Sequence, residues 1–177
     1  ARKAPKMVKI GGTSAPSIDS IITHLLEKAT GVQFNFIAFK SGGEVMTNLL
    51  GSHIDVASAN PGEALTQIQA KKARVLASAS AKRLSSLSDV PTLRESGVDV
   101  MVTQWRGVAA PKGLPKEAEA TLVSAFKRLS DSKMWKEKYL TENNLTPFYL
   151  PPEEFRRYLD TDAQKTLQIL KEMDLIK

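Results

Sequence analysis

The sequence predicts an α/β domain with a mostly parallel sheet flanked by helices, followed by a helical C-terminal segment. Three observations carry this. Short runs rich in β-branched and aromatic residues alternate with amphipathic stretches through the first eighty positions. Each amphipathic stretch opens on a turn of Gly, Ser, Thr, Asn or Pro. Beyond Pro111 the helical pattern continues with too few strands between to build a second sheet. Strand–turn–helix units in this order define a largely parallel sheet, and right-handed crossovers bring the helix-opening turns to one edge of it.

Met7 to Ile10 reads as the first strand, followed by the turn Gly11-Gly12-Thr13-Ser14. A helix begins near Pro16 or Ser17, with Ile18, Ile21, Ile22, Leu25, Leu26 and Ala29 at helical spacing and Gly31 as its C-terminal cap. Gln33 to Phe39 is the second strand. Ser41-Gly42-Gly43-Glu44 is a Ser-x-x-Glu capping box before Val45, Met46, Leu49 and Leu50, and Gly51 stops that helix. Ile54 to Ser58 reads as a third strand, Asn60-Pro61 opens a third helix through Ala64, Leu65 and Ile68, and Arg74 to Ala79 reads as a fourth strand. Then the pattern changes. A polar stretch from Ser85 to Pro91 leads to a short helix from Thr92 to Ser96, ended by Gly97, and Val98 to Ala110 is mostly extended. Pro115 suits the start of a helix over Lys116 to Leu129. A further helix holds Met134, Trp135, Tyr139 and Leu140, and Pro151-Pro152 introduces a last one reaching Met173.

A chain of 177 residues suffices for one domain, or for one domain and part of another. No apolar run reaches the roughly 18–20 residues of a membrane helix. The first six residues are basic with no apolar stretch behind them, so they are not a signal peptide as they stand, although one could have been removed. The absence of cysteine excludes disulfides, thiolate metal sites and cysteine nucleophiles. The net charge of +6 is spread among acids, densest at Lys71-Lys72, Arg74 and Lys82-Arg83, which reads as a solvated surface rather than a phosphate track.

Three turns follow candidate parallel strands: Gly12-Thr13-Ser14, Ser41-Gly42-Gly43 and Asn60-Pro61-Gly62. Ligands of open α/β sheets bind beyond the carboxyl ends of the strands, and helix N-termini receive anions through free N–H groups. Thr and Ser hydroxyls add donors, so a carboxylate could be held here without arginine. The phosphate-loop and dinucleotide glycine patterns are missing, which disfavours nucleotides. His24 lies three residues before Glu27, a spacing that could pair on a metal, but two ligands do not make a site, and His24 and His53 are too few for most zinc sites unless carboxylates help. No Gly-x-Ser-x-Gly elbow or nucleophile–base pair is visible, so neither a cofactor nor an enzymatic activity is expected. Trp105 and Trp135 read as core or interface anchors, and Gln104 beside Trp105 as a residue that could line a cleft.

Phe39-Lys40-Ser41-Gly42-Gly43, Leu49-Leu50-Gly51, Ser80-Ala81-Lys82-Arg83 and, above all, Ser88-Asp89-Val90-Pro91-Thr92-Leu93-Arg94-Glu95-Ser96-Gly97-Val98 resemble the tripartite tricarboxylate transporter receptor family. Trp105-Arg106-Gly107, Ala110 to Pro115 and Pro152 to Phe155 extend the resemblance over nearly the whole chain. It implies a periplasmic-binding-protein-like (type II) fold and a periplasmic, non-catalytic receptor that closes on a small carboxylate and delivers it to a membrane permease. It also implies Gly12, Thr13, Ser14 and Ser17 as site residues, with Ser58, Asn60 and Gln104 next. Two departures stand out. Ala59 occupies a position where the family often has an acidic residue, which bears on ligand preference. The family's N-terminal strand–turn–helix unit also has no counterpart here, so residues 1–105 are expected to be the second lobe, and residues 106–177 the segment that returns to the first.

Two alternatives lie in other classes. One is an effector-binding module of a regulator, which predicts a fused DNA-binding segment. The other is a ligand-independent fragment that forms homo-oligomers through exposed C-terminal helices. Nucleic acid is not an expected partner.

Overall fold

The computed structural model describes residues 3–177; the start of the basic N-terminal stretch lies outside them. The chain forms two compact units: residues up to Gln104 together with Leu170–Lys177, and Trp105–Ile169.

In the first unit, strand β1 (Lys9–Thr13) is flanked by β2 (Asn35–Phe39) and β3 (Val56–Ala57) in a parallel sheet of order β2-β1-β3. Helices α1 (Ile18–Thr30), α2 (Gly42–Leu50) and α3 (Pro61–Gln69) follow the three strands in turn. β1 therefore runs three residues past its predicted end, and Gly11 and Gly12 lie inside it rather than in a turn. Tertiary packing explains them. Successive strand residues face opposite sides of the sheet. A side chain on Gly11 would collide with Ile54 and crowd Phe39, and one on Gly12 would collide with Asp19 and crowd Phe36. The two glycines let helix and loop side chains press onto the central strand from both sides. The core is small: Ile10, Ile21, Val45, Met46, Ile54 and Val100 are the buried apolar residues here, and Val45 is fully enclosed.

The helix boundaries follow from their caps. Ser17 caps α1 by accepting from the Ser20 N–H, and Gly31 closes the helix in the left-handed conformation at φ +67°. Ser41 caps α2 by accepting from the Glu44 N–H, while the Glu44 carboxylate reaches back past the cap to the Lys40 N–H at 3.0 Å. The helix spaced as Ala64, Leu65 and Ile68 is α3, with Pro61 at its first position.

The predicted fourth strand does not form. Of Arg74–Ala79 only Ser78 makes a β-bridge, to Thr92, and Leu76 is 58% exposed. An apolar, β-branched run needs a partner strand beside it, and no further strand lies next to this one among the described residues. The predicted helix Thr92–Ser96 is likewise a single turn closed by Gly97 at φ +82°. Arg83 ties this segment together. Its guanidinium Nε donates to both Glu95 carboxylate oxygens at 3.0–3.1 Å, and another of its nitrogens donates to the Ser88 carbonyl. Glu95 in turn accepts from the Thr92 N–H at 2.8 Å. Those hydrogen bonds, the Thr92 N–H first and Arg83 next, hold the Glu95 carboxyl below its ordinary range.

The second unit contains α4 (Lys116–Asp131), a π-helical turn (Met134–Tyr139) running into α5 (Leu140–Glu142), and most of α6 (Pro152–Glu172). Leu140 is its only buried residue among those described. Aromatic contacts organise the rest. The Trp105 indole N–H donates to Asp162 at 3.0 Å while the ring meets Phe155 edge-on, centroids 5.4 Å apart. Trp135 stacks on Tyr139 at 4.6 Å. Burial, with a smaller contribution from the Asp162 charge, raises the Tyr158 phenol above its ordinary range.

Candidate functional site

The strand order decides where a ligand crevice lies. From β1 the chain crosses to β2 on one side, then returns past β1 to β3 on the other. This reversal is a topological switch point, the kind of place where open α/β sheets bind ligands, and it falls between the carboxyl ends of β1 and β3. Thr13 ends β1 and Ser58 follows β3.

One side chain joins them. Asp19, in the first turn of α1 and 5% exposed, accepts on one carboxylate oxygen from the Thr13 N–H at 2.8 Å and the Thr13 hydroxyl at 2.7 Å. Its other oxygen accepts from the Ser58 hydroxyl at 2.8 Å. The negative end of Asp19 lies where the positive end of the α1 dipole favours it. Thr23 ties the same turn by donating to the Asp19 carbonyl at 2.8 Å.

The structure thus brings Thr13, Ser17 and Ser58 into one hydrogen-bonded group, because Ser17 donates to the Thr13 carbonyl at 3.0 Å. Gly12 is buried beneath Asp19 and makes room for it. Ser14 is exposed in the turn, and Asn60 is the half-buried N-cap of α3, its N–H donating to Glu63 at 3.1 Å. Gln104, also exposed, makes none of the hydrogen bonds of this group. Asp19 is the residue that sequence reasoning passed over. Its signal was available: an acid in the first turn of a helix, six residues after a threonine that ends a buried strand.

His24 and Glu27, the pair with a metal-like spacing, face different partners. His24 faces Glu172 at 3.6 Å, and the same carboxylate takes Lys28 at 2.8 Å. Glu27 instead accepts from the Phe34 N–H at 2.7 Å. Among the described residues no group of three or more His, Cys, Asp or Glu side chains could hold a metal ion. No described helix is long and apolar enough to cross a membrane.

A parallel sheet with helix-opening turns at its carboxyl edge and a polar cluster at the switch point is the architecture of an open α/β ligand-binding fold, and solved structures similar to it are periplasmic-binding-protein-like. The comparisons narrow this. A model of the tripartite tricarboxylate transporter family receptor matches residues 1–175, and the chain belongs to that family. A UPF0065 protein of Cupriavidus necator is 27% identical over 177 residues, spanning all of this chain and 54% of the relative. An R. palustris protein solved with adipate is similar with a TM-score of 0.87 and 25% identity, over 97% of this chain and 57% of that one. A TctC solute-binding protein from Polaromonas, solved without ligand, gives 0.75 and 26%, over 93% and 57%. The chain spans about half the length of the curated relatives it matches. The family is one of transporter receptors, the Polaromonas neighbour is a solute-binding protein, and another similar structure, at 26% identity and a TM-score of 0.82, is a periplasmic transporter.

Proposed function

We propose that this chain forms the ligand-binding lobe of a periplasmic receptor that captures a small carboxylate and presents it to a membrane permease. The observation that carries this is the start of α1, which opens directly after β1 at the switch point of the β2-β1-β3 sheet and presents main-chain N–H groups there. The adipate-bound relative supports the ligand class. Of the first-turn N–H groups of α1, that of Ser20 is taken by the Ser17 hydroxyl, so those of Ile18 and Asp19 receive the carboxylate, with Ser14, Ser17 and Asn60 around it. Gln104 contributes from the end of the first unit, and residues 106–177 form the segment that returns to the other lobe.

Thermal unfolding with a panel of mono-, di- and tricarboxylates, alongside uncharged and cationic controls, tests the proposal. A ligand at 100 times its dissociation constant stabilises by about 2.7 kcal/mol. For a domain of this size that raises the midpoint by roughly 5–10 °C. A shift confined to carboxylates supports the receptor reading; no shift with any of them counts against it. The exposed Leu122, Phe126 and Leu129 of α4 favour self-association as a second reading. Light scattering that returned the 19.4 kDa of a monomer would end that one.

A further inference from the structure

The residue types at the sheet edge suggest hydroxyl donors for an anion, but their hydrogen bonds give the edge a different character. Each of the three helices that open there has an acid in its own first turn: Asp19 in α1, Glu44 in α2 and Glu63 in α3. The Glu63 carboxyl also lies against Gly42 at the start of α2, where a side chain would collide with it. In the three connections from strand to helix, only Lys40 is basic. A hydroxyl has one proton to donate and two lone pairs to accept with. Thr13 and Ser58 direct theirs to Asp19, and Ser17 directs its own to the Thr13 carbonyl. These oxygens therefore meet a ligand with lone pairs, which repel a carboxylate and welcome an O–H or N–H.

We infer that Asp19 is a specificity-determining residue that acts through Thr13 and Ser58. It fixes the direction of their protons, so the site selects a carboxylate that also carries a hydrogen-bond donor, a hydroxyl or an ammonium group, over a bare one. This rests on the carboxylate-receptor reading and deepens it. The acid group of the ligand lies on the N–H groups at the start of α1, and its donor lies on the Thr13 and Ser58 oxygens.

Asp19→Asn tests this with almost no change in size. The Thr13 main-chain N–H can only donate, so the amide oxygen stays on Thr13 and the amide nitrogen turns to Ser58. Ser58 then accepts from the amide, and its own proton is released toward the edge. Calorimetric titration of wild type and variant uses a saturated dicarboxylate series with the 2-hydroxy and 2-amino members of the same chain lengths. Wild type is expected to bind at least one donor-bearing acid tenfold or more tighter than its bare counterpart, and the two arms show which donor is read. In the variant that preference shrinks by tenfold or more, with the bare acid gaining.

Equal changes for all acids, or none, would make Asp19 purely structural and overturn the inference while leaving the receptor reading intact. A wild type that binds none of the acids would overturn both. Ser58→Ala covers the case of a misfolded Asp19 variant. It removes one acceptor and leaves Asp19 in place, so it should weaken the donor-bearing acids alone, and uniform weakening would sink the inference.

Discussion

At the scale of the residue, the tightest constraint is the pairing of a missing side chain with a buried acid. Gly12 has no Cβ, and Asp19 fills the space a Cβ would take. Gly12→Ala should therefore destabilise by about 1–3 kcal/mol through overpacking, read as a lower urea midpoint. Gly31 is the opposite case. Nothing lies within 4 Å of the position its Cβ would take, so Gly31→Ala costs only its left-handed backbone, about 1–2 kcal/mol. Glu95 supplies a pH dependence. Its carboxyl is held below the ordinary glutamate value of 4.5, so the folded state binds a proton less readily than the unfolded one. The stability this provides is complete above the ordinary value and is lost as the pH falls through the lowered one. Glu95→Gln should flatten the acid limb of the stability–pH curve, measured as urea midpoints from pH 3 to 7 (about the range over which carboxylates titrate).

At the scale of the element, caps and buried faces decide which helices persist. Ser41 accepts from the Glu44 N–H, and Ser41→Ala should cost α2 about 1 kcal/mol in chemical denaturation. Val45, one turn on, is wholly enclosed against β1, so Val45→Ala should cost about 2 kcal/mol. The two changes lie on one short helix, and their effects need not add. The strand expected over Arg74–Ala79 fails for want of a neighbour to pair with, although its residue types are right. The Asp-Val-Pro-Thr run that carries the family resemblance most strongly is tied into the fold: the Thr92 N–H donates to Glu95, and Arg83 bonds both Glu95 and the Ser88 carbonyl.

At the scale of the whole molecule, burial is unevenly shared. The first unit holds the sheet and nearly all the buried apolar side chains, whereas α4 in the second exposes Leu122, Phe126 and Leu129. Local stability follows buried contact. Amide hydrogen exchange should accordingly be slowest in β1, α1 and α2 and fastest in α4 and the π-helical turn. Addition of a bound carboxylate should add protection at residues 13–20 and 58–63.

The sequence by itself determined the α/β class, the family, and three helices opening near Ser17, at Ser41 and at Asn60, and it pointed to the carboxyl edge of the sheet as the place of the proposed site. Those features are local: periodicity, capping chemistry and a distinctive run of residues all act within a turn or two. Tertiary structure decided that Gly11 and Gly12 belong to a strand, that Arg74–Ala79 pairs only through the bridge of Ser78 to Thr92, and that β1 sits between β2 and β3. It also decided that the Thr13, Ser17 and Ser58 protons point inward. Each of these depends on partners distant in sequence, as in the hydrogen bond from Ser58 to Asp19 across 39 positions. A hydroxyl's type is written in the sequence, but the direction of its proton is set by whichever acceptor the fold places beside it.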